Sequence, residues 1–385
     1  MFLNFRCHIR KLYRLPENLI INENCLLEGV FYSMKNITFV CQYLAKGGAE
    51  RVMSILINQF VKYGYKVKLI MLYENIIDYE IDDTVQIIAL EWSRKAGIKK
   101  RILRWRQLRK LIDGDIVISF LYSAIRDTVI ATLGSQTKLI FSERNDPNND
   151  PEGKLRQIIR DISYFFADKI VFQTSMQMNY FRKNIRKKGI VIENPVLQNL
   201  PMATEGKKIK IVSVCRLTAQ KNIIMSLQAF KNITIKYPEA KYCIYGDGEL
   251  RREIEEDINR LGLKDSVILH GFCRNIHTEI KDATLYISSS NFEGISNSML
   301  EAMGMGLPVV CTNCPIGGAG EVIKNKENGI LVPSNDVKAL TEAMLELLDN
   351  PDLRNKIRKN ACEVRNTYST TKIIEKWVEV VSEVE

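Results

Sequence analysis

The sequence predicts an α/β fold of two domains, each a parallel sheet flanked by helices. Three observations predict it. Short strand-like runs alternate with helical ones from Met34 onward, as parallel strands joined by crossover helices require. A polar stretch from Glu193-Asn194-Pro195 to Lys208 parts two such series. The 385 residues, with 46% apolar content, suffice for two cores and exclude a disordered or fibrous chain.

In the first series Ile37–Gln42 reads as a strand, about Ala49 to Tyr63 as a helix, and Lys66–Leu72 as the next strand. Asp115–Phe120, Lys138–Ser142 and Lys169–Gln173 are short apolar runs that suit buried strands. In the second series Lys208–Val214, Ala240–Tyr245, Val267–Leu269, Thr284–Ser288, Pro308–Thr312 and Gly329–Val332 are strands separated by helices of ordinary length. Ser369 to Val384 carries Ile373, Ile374, Trp377, Val378 and Val381 at helical spacing. The expected organisation is an N-terminal extension, 1–33, without clear periodicity and with Met34 as a candidate start; a domain over 34–198; a second over 199–368; and a helix over 369–385 that crosses back to the first.

The net charge of +10 favours anionic partners such as nucleotides, phospholipid surfaces or nucleic acid, without choosing among them. No apolar run approaches the roughly 20 residues of a spanning helix, and residues 1–33 lack the apolar core of a signal peptide. The nine cysteines lie mostly in apolar strand-like runs, which suits a reducing cytoplasm. Cys311-Thr312-Asn313-Cys314 has the spacing of half a zinc site, but no second pair or nearby histidine completes it. His8, His270 and His277 form neither a metal triad nor an obvious catalytic dyad, so no metal site is expected.

The most informative stretch is Asn291-Phe292-Glu293-Gly294-Ile295-Ser296-Asn297-Ser298-Met299-Leu300-Glu301, with two carboxylates eight positions apart. A helix starting near Ser296 or Asn297, both capping types, puts Glu293 in the preceding loop and Glu301 roughly 6–8 Å along the axis. The unpaired amides of the first turn between them suit a diphosphate, and the glutamates can accept hydroxyl hydrogen bonds from sugar rings. A Glu-x7-Glu pair alone is usually two surface carboxylates; the neighbouring Gly, Ser and Asn make this one different. Arg216 and Lys221, just past a strand, stand where ligands of doubly wound sheets bind and can neutralise a departing diphosphate as Mg²⁺ does elsewhere. Two exposed loop cations are the plainer reading of either alone.

Lys46-Gly47-Gly48-Ala49-Glu50 opens a helix after the first strand, so its glycines allow close backbone approach to phosphate or sugar, or only a tight turn. Gly246-Asp247-Gly248-Glu249-Leu250-Arg251 misses a dinucleotide fingerprint, because Arg251 stands where a small residue should pack. Asp113-Gly114-Asp115 precedes its strand and reads as a helix stop rather than a metal motif. Arg94 to Lys110 holds nine Lys or Arg and no acid, interleaved with Ile98, Ile102, Trp105 and Leu108. Such a helix suits an anionic membrane surface through Arg101, Arg104 and Trp105, or a solvated face packed on the core. No RNA-binding motif accompanies the charge, so a nucleic-acid partner is not expected.

Lys46–Glu50, Arg216 with Lys221, Gly246–Gly248 and Glu293 through Glu301 occur in an order that resembles glycosyltransferase family 4 over about residues 34–385. The resemblance implies a GT-B fold, two Rossmann-like doubly wound domains facing across a cleft, and retaining transfer from a nucleotide-diphosphate sugar without metal or cofactor. It implies that Arg216 and Lys221 hold the donor diphosphate, Glu301 the ribose hydroxyls and Glu293 the transferred sugar. Backbone amides of Ile295, Ser296, Asn297 and Ser298 would assist, Gly246 and Gly48 would border the donor, and Phe272 would contact the base. Many relatives carry a histidine after the strand matching Lys138–Ser142; this chain reads Ser142-Glu143-Arg144-Asn145-Asp146, which makes Arg144 a candidate for sugar or acceptor contact. The implied function is transfer of a hexose or N-acetylhexosamine, with UDP favoured and GDP open, to a lipid-linked glycan acceptor in bacterial surface polysaccharide synthesis. The expected place is the cytoplasmic face of the plasma membrane, held peripherally. A GT-B sugar-nucleotide epimerase and a non-catalytic basic nucleotide- or nucleic-acid-binding protein are the alternatives.

Overall fold

The computed structural model describes residues 36–384 apart from 46, 94 and 96, so the extension over 1–33, Met34, His8 and Lys46 lie outside the described residues. The chain divides into two compact units. One takes the described residues up to Ser142 with Ile159–Ile170 and Trp377 onward; the other takes Glu143–Ile158 and Val171–Lys376. The second unit takes in Arg144, Gln173 and Asn194, which are hydrogen-bonded to one another and to the loop around Ile295, while the cut expected at 198 separates the strands of one sheet, which end at Val191, from those of the next, which begin at Lys210.

The first sheet uses β1 (Asn36–Cys41), β2 (Lys66–Met71), β3 (Gln86–Ala89), β4 (Ile116–Phe120), β5 (Lys138–Ser142), β6 (Lys169–Phe172) and β7 (Gly189–Val191), in the order β3-β2-β1-β4-β5-β6-β7. Helices α1 (Gly48–Lys62), α2 (Ile98–Leu111), α3 (Tyr122–Thr132), α4 (Lys154–Phe165), α5 (Ser175–Tyr180) and α6 (Lys183–Arg186) connect them. β1 pairs in parallel with β2 and β4, Phe39 lying opposite Leu69 and Ile118. β4 is buried along its whole length, which accounts for its unbroken apolar run. The sequence reading missed β3 and β7. Both end the sheet and are exposed or half-buried, so neither carries the apolar run by which the inner strands announce themselves.

The second sheet contains β8 (Lys210–Val214), β9 (Lys241–Tyr245), β10 (Val267–Gly271), β11 (Leu285–Ser288), β12 (Val309–Asn313) and β13 (Ile330–Pro333), ordered β10-β9-β8-β11-β12-β13. α7 (Ile223–Lys236), α8 (Arg251–Arg260), α9 (Ile276–Ile280), α10 (Asn297–Gly304), α11 (Ala319–Val322), α12 (Val337–Asp349), α13 (Pro351–Ala361) and α14 (Val364–Thr367) accompany it. Both its faces are covered. Ile211, Ile244, Ile287 and Val310 enter one apolar cluster, and Val212, Cys243, Tyr286 and Val309 the other, as the two-residue period of a strand dictates. The strand order reverses between β8 and β11, which makes their carboxyl ends the switch point where ligands of such sheets bind.

The last helix, α15 (Thr370–Val384), buries Ile373, Ile374, Trp377 and Val381. Trp377 is fully buried, its ring centroid 5.9 Å from that of Phe120 in the first unit, to which residues from Trp377 onward belong.

Candidate functional site

The loops after β8 and β11 are joined by hydrogen bonds. Ser289 Oγ donates to the carbonyls of Lys221 and Asn222 at 3.0 and 2.9 Å. The amide of Asn291 donates to Gln220 O at 2.8 Å, and Gln220 Nε2 to Phe292 O at 2.9 Å. Asn222, in the left-handed region at φ 44°, turns the chain from the short 3-10 turn Ala219–Lys221 into α7 and donates to Asn291 Oδ1 at 2.9 Å. These bonds bring together what the sequence separates by 72 residues: Lys221 Nζ and Glu293 Oε2 form an ion pair, and Ser290 Oγ donates to the same carboxylate oxygen at 3.0 Å. Arg216 is exposed, and its guanidinium has no partner among the described residues. The switch point therefore presents one open cation and one held by an exchangeable carboxylate.

Helix α10 starts at Asn297 with Ser296 as its cap, the hydroxyl accepting from the Met299 amide at 3.4 Å, which agrees with the helix start read from the sequence. Glu301 is 6% exposed and lies 2.9 Å from His277 Nε2 on α9. Ser298 Oγ is 2.8 Å from the hydroxyl of buried Tyr286. The Ile295 amide donates to Gln173 Oε1 at 3.2 Å, whereas Asn297 and Ser298 belong to the first turn, which has no intrahelical acceptors for its amides. Arg144 is 8% exposed and donates to Asn194 Oδ1.

Asn194 is the residue that sequence reasoning passed over. At 2% exposure it accepts from Gln173 Nε2 at 2.8 Å and from Arg144, and its own amide donates to Ile295 O at 2.8 Å and Asn297 Oδ1 at 2.6 Å. Gly294 fits under this clamp only without a side chain, since a Cβ there would lie 1.9 Å from Gln173 Oε1. His277 was also passed over, because a lone histidine carries no signal until the fold sets it beside a carboxylate.

Gly246 and Gly248 pack backbone on backbone against the β8 loop. A Cβ would come within 1.8 Å of Cys215 O at Gly246, whose φ is +127°, and within 2.4 Å of Leu217 O at Gly248. Phe272 follows β10 and is 51% exposed. Next to it His270 stacks on Tyr245 with centroids 4.4 Å apart, and partial burial lowers the imidazole below its ordinary pKa. Gly48 opens α1 after β1 in the other unit.

The thiols are braces. Burial pushes Cys215 up to about 11 and raises Cys311 and Cys314 as well, and Cys314 Sγ donates to Ser290 O at 3.2 Å, steadying the loop before Glu293. Among the described residues no group of three or more His, Cys, Asp or Glu side chains is placed to hold a metal ion. On α2, Trp105 is half-buried and donates its indole N–H to Asp127 at 3.1 Å, while Arg104 donates to Ser93 O and lies over Trp92. Of the membrane-surface candidates Arg101 is exposed, whereas Arg104 and Trp105 are half-buried and hydrogen-bonded within the protein.

Residues 201–364 match the family model described as glycosyl transferases group 1. Two transferases of Campylobacter jejuni are each 26% identical to the chain. One is the GalNAc-alpha-(1->4)-GalNAc-alpha-(1->3)-diNAcBac-PP-undecaprenol alpha-1,4-N-acetyl-D-galactosaminyltransferase, over 91% of the chain and 99% of that protein. The other is the N-acetylgalactosamine-N,N'-diacetylbacillosaminyl-diphospho-undecaprenol 4-alpha-N-acetylgalactosaminyltransferase, over 88% and 97%. Among solved structures, HepE of Anabaena in complex with UDP and glucose superposes with a TM-score of 0.79 at 17% identity, covering 91% of the chain and all of that protein. The chain is a glycosyltransferase of GT-B fold whose residues 201–364 match the model of the group 1 glycosyl transferases.

Proposed function

We propose that the chain transfers a hexose or N-acetylhexosamine, with retention of configuration, from a UDP-sugar to a lipid-linked glycan at the inner face of the plasma membrane. The observation that carries this reading is the joined pair of loops at the β8/β11 switch point, with Arg216 unpaired and Lys221 held by Glu293. In this mechanism the donor diphosphate takes both cations, so Lys221 exchanges a carboxylate for phosphate oxygens and Glu293 is released toward the sugar hydroxyls. Glu301, kept in place by His277, accepts from the ribose hydroxyls. The bond from the anomeric carbon to the β-phosphate oxygen breaks as the acceptor oxygen attacks the same face. The acceptor proton passes to the leaving phosphate, whose growing charge Arg216 and Lys221 neutralise. That route needs no separate general base.

The undecaprenol-linked acceptors in the names of the two Campylobacter relatives, and the UDP bound by HepE, support the lipid-linked acceptor and the base. A panel of UDP-, GDP-, ADP- and dTDP-sugars, followed by nucleotide release with and without a polyprenyl-diphosphate-linked sugar, tests it. Release from UDP-sugars that requires the acceptor is expected. Epimerised donor formed without acceptor, or no release from any donor, overturns the reading.

A further inference from the structure

Beyond the ends of β1 and β2 the two segments stay paired. The amides of Leu72 and Tyr73 donate to the carbonyls of Cys41 and Gln42 at 2.9 and 3.0 Å. The Leu44 amide donates to Ile76 O at 2.9 Å, that of Asp78 donates to Leu44 O at 3.0 Å, and Leu44 forms a parallel bridge with Ile77. The segment after β2 is thereby laid along the segment after β1 toward Gly47, where α1 begins. The order of this sheet reverses between β1 and β4, so the loop after β1 stands at a switch point, where doubly wound sheets bind ligands.

At Gly47 a side chain takes over from the backbone. Gly47 is extended, with φ −149° and ψ 159°, so its N–H and C=O point the same way, as in a strand. The Tyr79 hydroxyl answers both, accepting from the Gly47 amide at 3.1 Å and donating to the Gly47 carbonyl at 2.9 Å. That carbonyl also takes the first helical bond of α1, from the Arg51 amide at 3.0 Å. Burial raises the phenol above its ordinary pKa, which keeps the proton it donates. The residues just past Tyr79 are tied down in turn: Asn58 on α1 donates to Glu80 O and accepts from the Asp82 amide, each at 2.9 Å. The Glu50 carboxylate lies where a side chain on Gly47 would stand. A carboxylate over the turn suits sugar hydroxyls, which can donate to it, better than a phosphate, which it repels.

We propose that Tyr79 is a positioning residue for the transfer: its hydroxyl sets the Gly47–Gly48 turn in the shape that meets the sugar of the donor. Tyr79 touches no substrate itself. Without its hydroxyl the ladder ends at Asp78 and the Gly47 peptide is left to water, so the turn loses its shape while the sheet keeps its own. The proposal rests on the transfer reading, which gives Gly48 to the donor.

The test is hydrogen exchange of the full chain, followed in peptides spanning Gly47–Arg51 without ligand, with UDP, and with UDP-glucose or UDP-N-acetylglucosamine, beside steady-state turnover. In the parent a UDP-sugar is expected to slow exchange in this turn beyond what UDP does. Tyr79→Phe, which keeps the ring, is expected to lose most of that protection and about tenfold in kcat, as a small misplacement of a contact costs. Its melting temperature should stay within a few degrees and its Kd for UDP within about twofold, since only the sugar contact is affected. Tyr73→Phe is the control, because that hydroxyl belongs to the same segment but bonds Asp127 at 3.0 Å, and it should leave the turn's protection and kcat unchanged. Protection that persists in Tyr79→Phe overturns the proposal, as does its absence from the parent, an equal loss in Tyr73→Phe, or a lowered melting temperature with unchanged kcat. Protection present in the parent and lost in Tyr79→Phe, in a protein that turns over no donor with any acceptor, would uphold the positioning role and refute the transfer reading instead.

Discussion

Lys221 and Glu293 meet with 13 and 21% of their side chains exposed, so the pair is shielded from bulk water without being sealed from it. Lys221→Ala is expected to lower kcat by about a hundredfold or more, as loss of a group acting on developing charge does. Its melting temperature should stay within a few degrees of the parent, since Glu293 keeps its Ser290 bond and can rehydrate. Equal turnover with an equal melting curve would remove Lys221 from the mechanism. For His277 the argument runs through Glu301. His277→Ala should raise the donor KM about tenfold with a smaller change in kcat, the worth of one hydrogen bond to a charged acceptor, and His277→Gln should restore part of it. A fall in kcat alone would contradict that role. Glu293 and Glu301 were legible because two carboxylates spaced across a capped helix start form a chemical pattern. His277 was not, because nothing in the order of residues says that α9 lies against α10.

At the scale of elements, the β11–α10 loop owes its shape to Asn194 more than to its own sequence. Asn194→Ala removes two hydrogen bonds to that loop and strips Arg144 and Gln173 of a buried acceptor, a loss of about 1–3 kcal/mol. Denaturant unfolding should show that loss together with a raised donor KM; unchanged stability would mean the clamp is decorative. Sequence reading took Glu193-Asn194-Pro195 for a linker, since a polar residue before proline looks the same whether it faces water or a neighbouring loop. Helix α4 was opaque for the opposite reason. Apolar residues at helical spacing ordinarily mark the buried face, and only burial shows that here they do not. The central strands were read nearly to the residue because burial on both faces leaves an unbroken apolar run.

Taken whole, the molecule has two units, and every donor contact proposed above except that of Gly48 falls in the second. Thermal unfolding by calorimetry is therefore expected to depart from a single two-state transition. UDP at about a hundred times its Kd should stabilise the second unit by about 2.7 kcal/mol and move its transition alone. Equal shifts in both would show that binding engages the first unit as well. The fold class, the strand alternation and the polar break between the two sheets were legible because each sheet repeats one simple rule; that Glu143–Ile158 and the chain from Val171 onward go with the second unit was not, because no composition shift marks it. The glycines after β9 carry a consequence for anyone recombining such enzymes. With Gly246 and Gly248 seated directly on the carbonyls of Cys215 and Leu217, the loop bearing Arg216 and the turn after β9 are two halves of one moulding. A chimaera that imports the first from a relative without the second inherits a mismatch in main-chain shape, so donor preference should transplant as the pair of turns or not at all.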